Sequence, residues 1–189
     1  MRIVVSGTHG TGKSTLIADF ARRHPEYTVL PDPFELIDES WDLPGVEMFT
    51  AQLRLSAERL IEHEGGENVI AERGPIDFLA YLLAAAELAG GQLPAAFQSR
   101  AIAMTASALD EADILVVLPL TPDLPPVGDD EDRELRATMD EVLLDLIDDP
   151  AVVGETVRVA DLSGDPAARL AELERLMQHV SGAAAALGF

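Results

Sequence analysis

The sequence predicts a single α/β domain built on a parallel sheet. Three observations predict it. An apolar run at residues 3–5 leads directly into Gly7-Thr8-His9-Gly10-Thr11-Gly12-Lys13-Ser14, and helix-compatible residues continue to Phe20, so the order is strand, loop, helix. Short apolar segments then alternate with amphipathic ones, without an internal repeat. Residues 114–118 are apolar throughout, as expected of a parallel strand covered on both faces.

Each element follows from local signals. The first helix should reach about Arg23, where Pro25 breaks the pattern, and residues 27–30 read as a short buried strand closed by Pro31-Asp32-Pro33. Residues 34–39 suit a short helix. Phe49, Leu53, Ala57, Leu60 and Ile61 give one apolar face to a helix that ends before Gly65-Gly66, and residues 69–71 follow as a strand. Gly74-Pro75 opens a mostly apolar helix over 76–88, Gly90-Gly91 ends it, and a further helix covers about 94–109. Beyond the strand at 114–118, Leu135, Met139, Val142, Leu143 and Leu146 mark an amphipathic helix. Residues 156–159 form the last strand, and Asp165-Pro166 caps a final helix with Leu170, Leu173, Met177 and Val180 inward.

A chain of 189 residues supports one well-buried core, so a single domain over 1–189 is expected. The absence of cysteine excludes disulfides and thiolate metal sites. The first strand begins too early to leave room for a signal peptide, and no apolar run approaches the roughly 20 residues of a membrane span. A cytoplasmic protein with no membrane partner is expected. A formal charge of -21 disfavours nucleic acid, whose binding rests on basic surface. His9, His24, His63 and His179 lack metal-ligand spacing. A homodimer is compatible with all of this.

Gly7 to Ser14 match GxxxxGK[ST], the phosphate-binding P-loop. Its glycines let the backbone wrap an anion, successive N–H groups and the positive end of the following helix point at phosphates, and Lys13 adds a full charge. Lys13 is the only lysine in the chain. A guanine-reading Asn/Thr-Lys-x-Asp motif therefore has no lysine to use. Leu88-Ala89-Gly90-Gly91-Gln92 looks like a transporter-ATPase signature, but no Asp-Glu follows the strand at 114–118, and the segment reads as a helix-ending turn.

Val69-Ile70-Ala71-Glu72-Arg73-Gly74-Pro75-Ile76-Asp77 is more telling. It resembles the segment of nucleoside kinases in which a strand ends in Glu/Asp-Arg-Ser-Pro-x-Asp. Related small AAA-type P-loop ATPases, including ribosylnicotinamide-kinase-like domains, share it. Here Gly74 replaces the serine. The resemblance implies a three-layer P-loop NTPase fold: a five-stranded parallel sheet in the order 2-3-1-4-5, helices on both faces, and a helical lid at about 121–149. It also implies a kinase that uses ATP and Mg²⁺ to phosphorylate a hydroxyl of a nucleoside-like small molecule.

Site residues follow on that basis. Gly7, Thr8, His9, Gly10, Thr11, Gly12, Lys13, Ser14 and Thr15 would cradle the phosphates, and Ser14 with Glu72 would hold Mg²⁺. Arg73 would bind an anionic or hydroxyl group at the reacting end, unless Glu72 and Arg73 merely close the strand as an ion pair. Asp32 falls where those kinases carry a Glu-Pro whose carboxylate takes the acceptor's proton, with Glu35 and Asp38 as alternates. Pro-Asp-Pro reads equally well as a turn. Phe49-x-x-Gln52 resembles, at a different spacing, the Phe-Gln pair with which nucleoside kinases contact the acceptor base, and Gln52 and Arg54 are candidates for contacting an acceptor ring. Arg133 and Arg136 would act from the lid, or else belong to an ordinary helix start in which acids favour the dipole. Arg169, after Leu162-Ser163-Gly164-Asp165, would stack on adenine, although a capped helix explains the same residues. A nucleotide-hydrolysing or nucleotide-sensing protein without an acceptor is the alternative function.

Overall fold

In the computed structural model, which describes residues 1–36, 45–62, 64–122 and 132–187, five parallel strands form one sheet. They are β1 (Arg2–Ser6), β2 (Thr28–Leu30), β3 (Val69–Glu72), β4 (Ile114–Val117) and β5 (Arg158–Asp161), in the order β2-β3-β1-β4-β5. The helices are α1 (Lys13–Arg23), α2 (Val46–Ile61), α3 (Pro75–Leu88), α4 (Ala95–Leu109), α5 (Arg133–Ile147) and α6 (Pro166–Leu187). This is the predicted order and the predicted three layers.

Period-two alternation along β1 explains the layering. Ile3 and Val5 face one side, where they pack with Leu16, Ile17 and Phe20 of α1 and with Leu170, Leu173 and Leu176 of α6. Val4 faces the other, joining a larger core from α2, α3, α4 and α5. β1 and β4 are buried along their whole length. Their apolar runs are therefore continuous rather than alternating.

Register then decides where the chemistry goes. Val5 lies opposite Glu72 of β3 and Val116 of β4, so the carboxyl ends of all three strands meet at one edge. At β1 the strand order turns from β3 on one side to β4 on the other. That crevice is where ligands bind in open α/β sheets.

The sheet margins differ from expectation. β2 is an exposed edge strand: Thr28 and Val29 face solvent and only Leu30 is buried. β5 begins at Arg158, two residues later than the pattern suggests, because Val152, Val153 and Val157 bury against the helices before the ladder pairs Arg158 with Ile114. Of the helix expected over 34–39, the described part to Leu36 is a 3-10 turn, Pro33–Glu35, capped by the Asp32 side chain, and residues 37–39 lie outside the described ones. Of the expected lid at 121–149, residues 123–131 likewise lie outside. Its remainder is mainly α5, which buries Met139, Leu143 and Leu146 in the main core.

Gly74, where the resembling kinases carry serine, is enforced by packing. A Cβ there would stand 2.6 Å from Cγ1 of Val4, a β-branched residue with no exposure in the central strand. Gly74→Ser is expected to cost about 1–3 kcal/mol. In a chain of this size that lowers the melting temperature by about 2–4 °C per kcal/mol. Urea and thermal unfolding measure it, and an unchanged midpoint would contradict the steric argument.

Candidate active site

The loop between β1 and α1 wraps backward on positive-φ glycines. At Gly7 (φ 141) a Cβ would meet the Leu118 carbonyl oxygen at 2.6 Å, so no side chain fits. Three cations from three helices hold the outward carbonyls. Lys13 Nζ donates to Thr8 O at 2.8 Å, Arg136 Nε of α5 to His9 O at 2.7 Å, and Arg169 Nη1 of α6 to Thr11 O at 2.7 Å. Burial, with the Arg73 charge next, pushes the Lys13 ammonium down to about 7, against the upward pull of Asp77, Asp32 and Glu72.

Across the loop, Ser14 Oγ donates to Glu72 Oε1 at 2.7 Å. Two hard oxygens, one charged, suit a Mg²⁺ that takes its remaining ligands from phosphate and water. Among the described residues, no group of three or more His, Cys, Asp and Glu could hold a metal by itself.

Arg73 follows Glu72 in a left-handed conformation, φ 63, uncommon for a residue with a side chain. Its Nε donates to Asp32 Oδ2 at 2.7 Å and its Nη1 to Gly7 O at 3.1 Å. The guanidinium carbon lies 5.4 Å from the Phe34 ring centre and 5.6 Å from that of Tyr81. Burial pulls the guanidinium's pKa down, and Tyr81, Asp32 and Asp77 more than offset it, so Arg73 stays charged.

Asp77 ties these parts together. Fully buried, it accepts from Ser6 Oγ (2.6 Å), Gly7 N (2.8 Å) and Gly74 N (2.9 Å), with Arg73 Nη1 at 3.8 Å. Burial raises its pKa, and Arg73, Lys13 and the hydrogen bonds oppose the rise.

One cavity of about 1210 Å³ collects His9 to Thr15, Asp32, Glu35, Glu72, Arg73, Arg136 and Arg169. Gly7 and Thr8 are buried behind it. Gln52 is buried on α2, off the cavity wall, with Oε1 lacking a partner among the described residues, whereas Arg54 is exposed. Arg133 is exposed and does not line the cavity. Asp38 lies outside the described residues. Of the aromatic wall formed by Phe34, Phe49 and Tyr81, in which Phe49 and Tyr81 stack at 4.8 Å, sequence reasoning named Phe49 beside Gln52 and missed Phe34 and Tyr81. It also gave Asp77 no role, although Asp77 sits three residues into a helix from Gly74, a position where a side chain can cap the helix backbone.

Asp77→Asn keeps the shape but removes the charge facing Arg73 and Lys13. A loss of about 3–5 kcal/mol in urea unfolding is expected, as for other broken buried pairs. A loss below 1 kcal/mol would show that the hydrogen-bond pattern suffices.

Comparison with known proteins agrees with this architecture. The fold is similar to thymidylate kinase from Candida albicans, with a TM-score of 0.66 and 15% identity over 94% of this chain and 91% of that one. It is equally similar to deoxyadenosine kinase from M. mycoides, with a TM-score of 0.66 and 16% identity over 95% of this chain and 100% of that one. No curated protein matches the sequence. A family model described as an AAA domain matches residues 2–169. That match spans the P-loop, the Glu72-Arg73 strand end and Arg169, and the chain belongs to this AAA-domain family.

Proposed function

We propose that the protein is a Mg²⁺- and ATP-dependent kinase that phosphorylates a hydroxyl of a nucleoside-like small molecule. The observation that carries this reading is a single cavity in which a phosphate loop faces an acid–guanidinium pair, Asp32 with Arg73, backed by aromatic rings. At about 1210 Å³ the cavity exceeds the usual volume for one ligand and has room for a donor and an acceptor. The similar structures, named as kinases of thymidylate and deoxyadenosine, support a phosphoryl acceptor rather than water.

In this mechanism the loop amides and Lys13 hold the β- and γ-phosphates of ATP. Ser14 and Glu72 would hold Mg²⁺, which when bound offsets phosphate charge. Asp32 orients the acceptor hydroxyl and takes its proton while Arg73 fixes the carboxylate. Arg136, which lines the cavity and braces His9 O through Nε, brings a positive charge toward a transferring phosphoryl group. Arg169 acts through the loop it supports.

Labelled ATP offered with nucleosides, nicotinamide riboside and sugars tests the reading. Label should pass to at least one acceptor, and Lys13→Ala should lower turnover about 10²–10³-fold. Phosphate release that no acceptor alters or captures would instead identify a hydrolase.

Nucleotide binding should also take up a proton. Phosphates restore the ammonium of Lys13, whose pKa in the free protein is about 7. Affinity is therefore greatest below that value and falls as pH rises above it, by about tenfold per pH unit at most. Calorimetry at pH 8 in two buffers of different ionisation enthalpy measures the uptake, and buffer-independent heats would refute it.

A further inference from the structure

Proline flanks Asp32 on both sides, which leaves that stretch of backbone short of ways to hold a position. In Pro31-Asp32-Pro33 only Asp32 carries an N–H. The ladder with β3 ends one residue earlier, where Leu30 lies opposite Ala71. Beyond it, Asp32 O accepts from Glu35 N and Pro33 O from Leu36 N. Those bonds shape the 3-10 turn and tie it to nothing outside itself.

A tie from outside comes from α2. Arg59 Nη1 donates to Pro31 O at 2.9 Å, from a side chain only 7% exposed. Its Nε donates to Glu64 Oε2 at 2.8 Å and its Nη2 to Glu64 Oε1 at 3.5 Å, so the charge is matched where it is buried. Glu64 N donates in turn to Arg59 O at 2.9 Å, which closes the end of the helix around the pair. Burying a guanidinium is costly, and an apolar side chain would fill the same place more cheaply. The arginine is explained by its rigid fork, which reaches a carbonyl on one side and a carboxylate on the other.

The proline rings carry this contact on to Asp32. Each fixes its own φ, so a hold on Pro31 O restrains the residue that follows. Arg73 Nε grips the Asp32 carboxylate at 2.7 Å, and Arg59 grips the backbone behind it. Arg59 itself does not line the cavity.

We infer that Arg59 is a positioning residue, which through Pro31 O sets the place of Asp32 at the reacting end of the cavity. The inference rests on the role proposed above for Asp32. Because α2 also carries Phe49 on the cavity wall, the same contact keeps wall and carboxylate at a fixed spacing.

Arg59→Met removes the donors and nearly keeps the length. In the labelled-transfer assay kcat should fall about ten- to a hundredfold, the effect of displacing a reacting group by about 1 Å. Affinity for a non-hydrolysable ATP analogue should stay within about twofold, since Lys13, Arg136 and Arg169 still hold the loop. Sites counted by analogue binding remove any inactive fraction from kcat. In an Asp32→Asn background the same substitution should cost less than about threefold, because a residue that acts through Asp32 then has nothing to act through. An unchanged kcat, or equal losses in the two backgrounds, overturns the inference and leaves the kinase reading standing.

A second test needs no turnover. Hydrogen exchange in the ligand-free protein follows the Nε–H of Arg73, donated to Asp32, against the amide of Gly7, donated to Asp77. A general loss of stability speeds both, whereas a displaced Asp32 speeds only the first. Arg59→Met should raise the ratio about tenfold. A ratio equal to that of the unaltered protein overturns the inference. A raised ratio with no acceptor taking label upholds the placing of Asp32 by Arg59 and removes the kinase reading. Arg59→Lys keeps the charge but not the fork, and it carries both tests, with smaller effects in the same direction, if Arg59→Met does not fold.

Discussion

The site depends on one buried carboxylate. Asp77 sits where three chain segments would otherwise leave backbone or hydroxyl hydrogens without partners: the end of β1, the first amide of the phosphate loop and the start of α3. Taking a charge out of water is tolerable only when such partners surround it. Here they do, and the arrangement makes the position of Arg73 a consequence of the position of the loop. Each half of the cavity is thereby fixed relative to the other before any ligand arrives.

Electrostatics organises the remainder. The molecule carries a formal charge of -21, yet four of its thirteen Lys and Arg residues line one cavity. Lys13, Arg136 and Arg169 approach the loop from three helices, and Arg73 fills the gap toward Asp32. The cost appears at Lys13, where burial and a neighbouring guanidinium weaken the hold on its proton.

The sheet and the loop were legible in the sequence because their signals are local. Continuous apolar runs mark strands buried on both faces, and the loop motif occupies adjacent residues. Edge strands were read less well. β2 has a partner on one side only and exposes two of its three residues, so neither burial nor alternation marks its limits. Glu72 and Arg73 could be placed because they end a central strand. Their partners are different: Asp32 is 41 residues from Arg73, and Arg169 is 158 from Thr11, so no window along the chain contains the pair. The rings of Phe34 and Tyr81 carried no such signal, since an aromatic residue in an apolar stretch carries no mark of the cavity it borders.

The three cations on the loop's outward carbonyls make the loop's shape a product of the whole fold. Helices α5 and α6 are anchored in opposite layers, yet each lends a guanidinium to the same few residues. A loop braced in this way loses little freedom when it closes on phosphate, so ordering that a slack loop would undergo on binding is completed during folding. By thermodynamic reciprocity, nucleotide in turn reinforces the docking of both helices, and loosening either layer far from the cavity weakens the grip on ligand. The phosphate loop is in that sense a fastener between the two helical layers as well as a binding site.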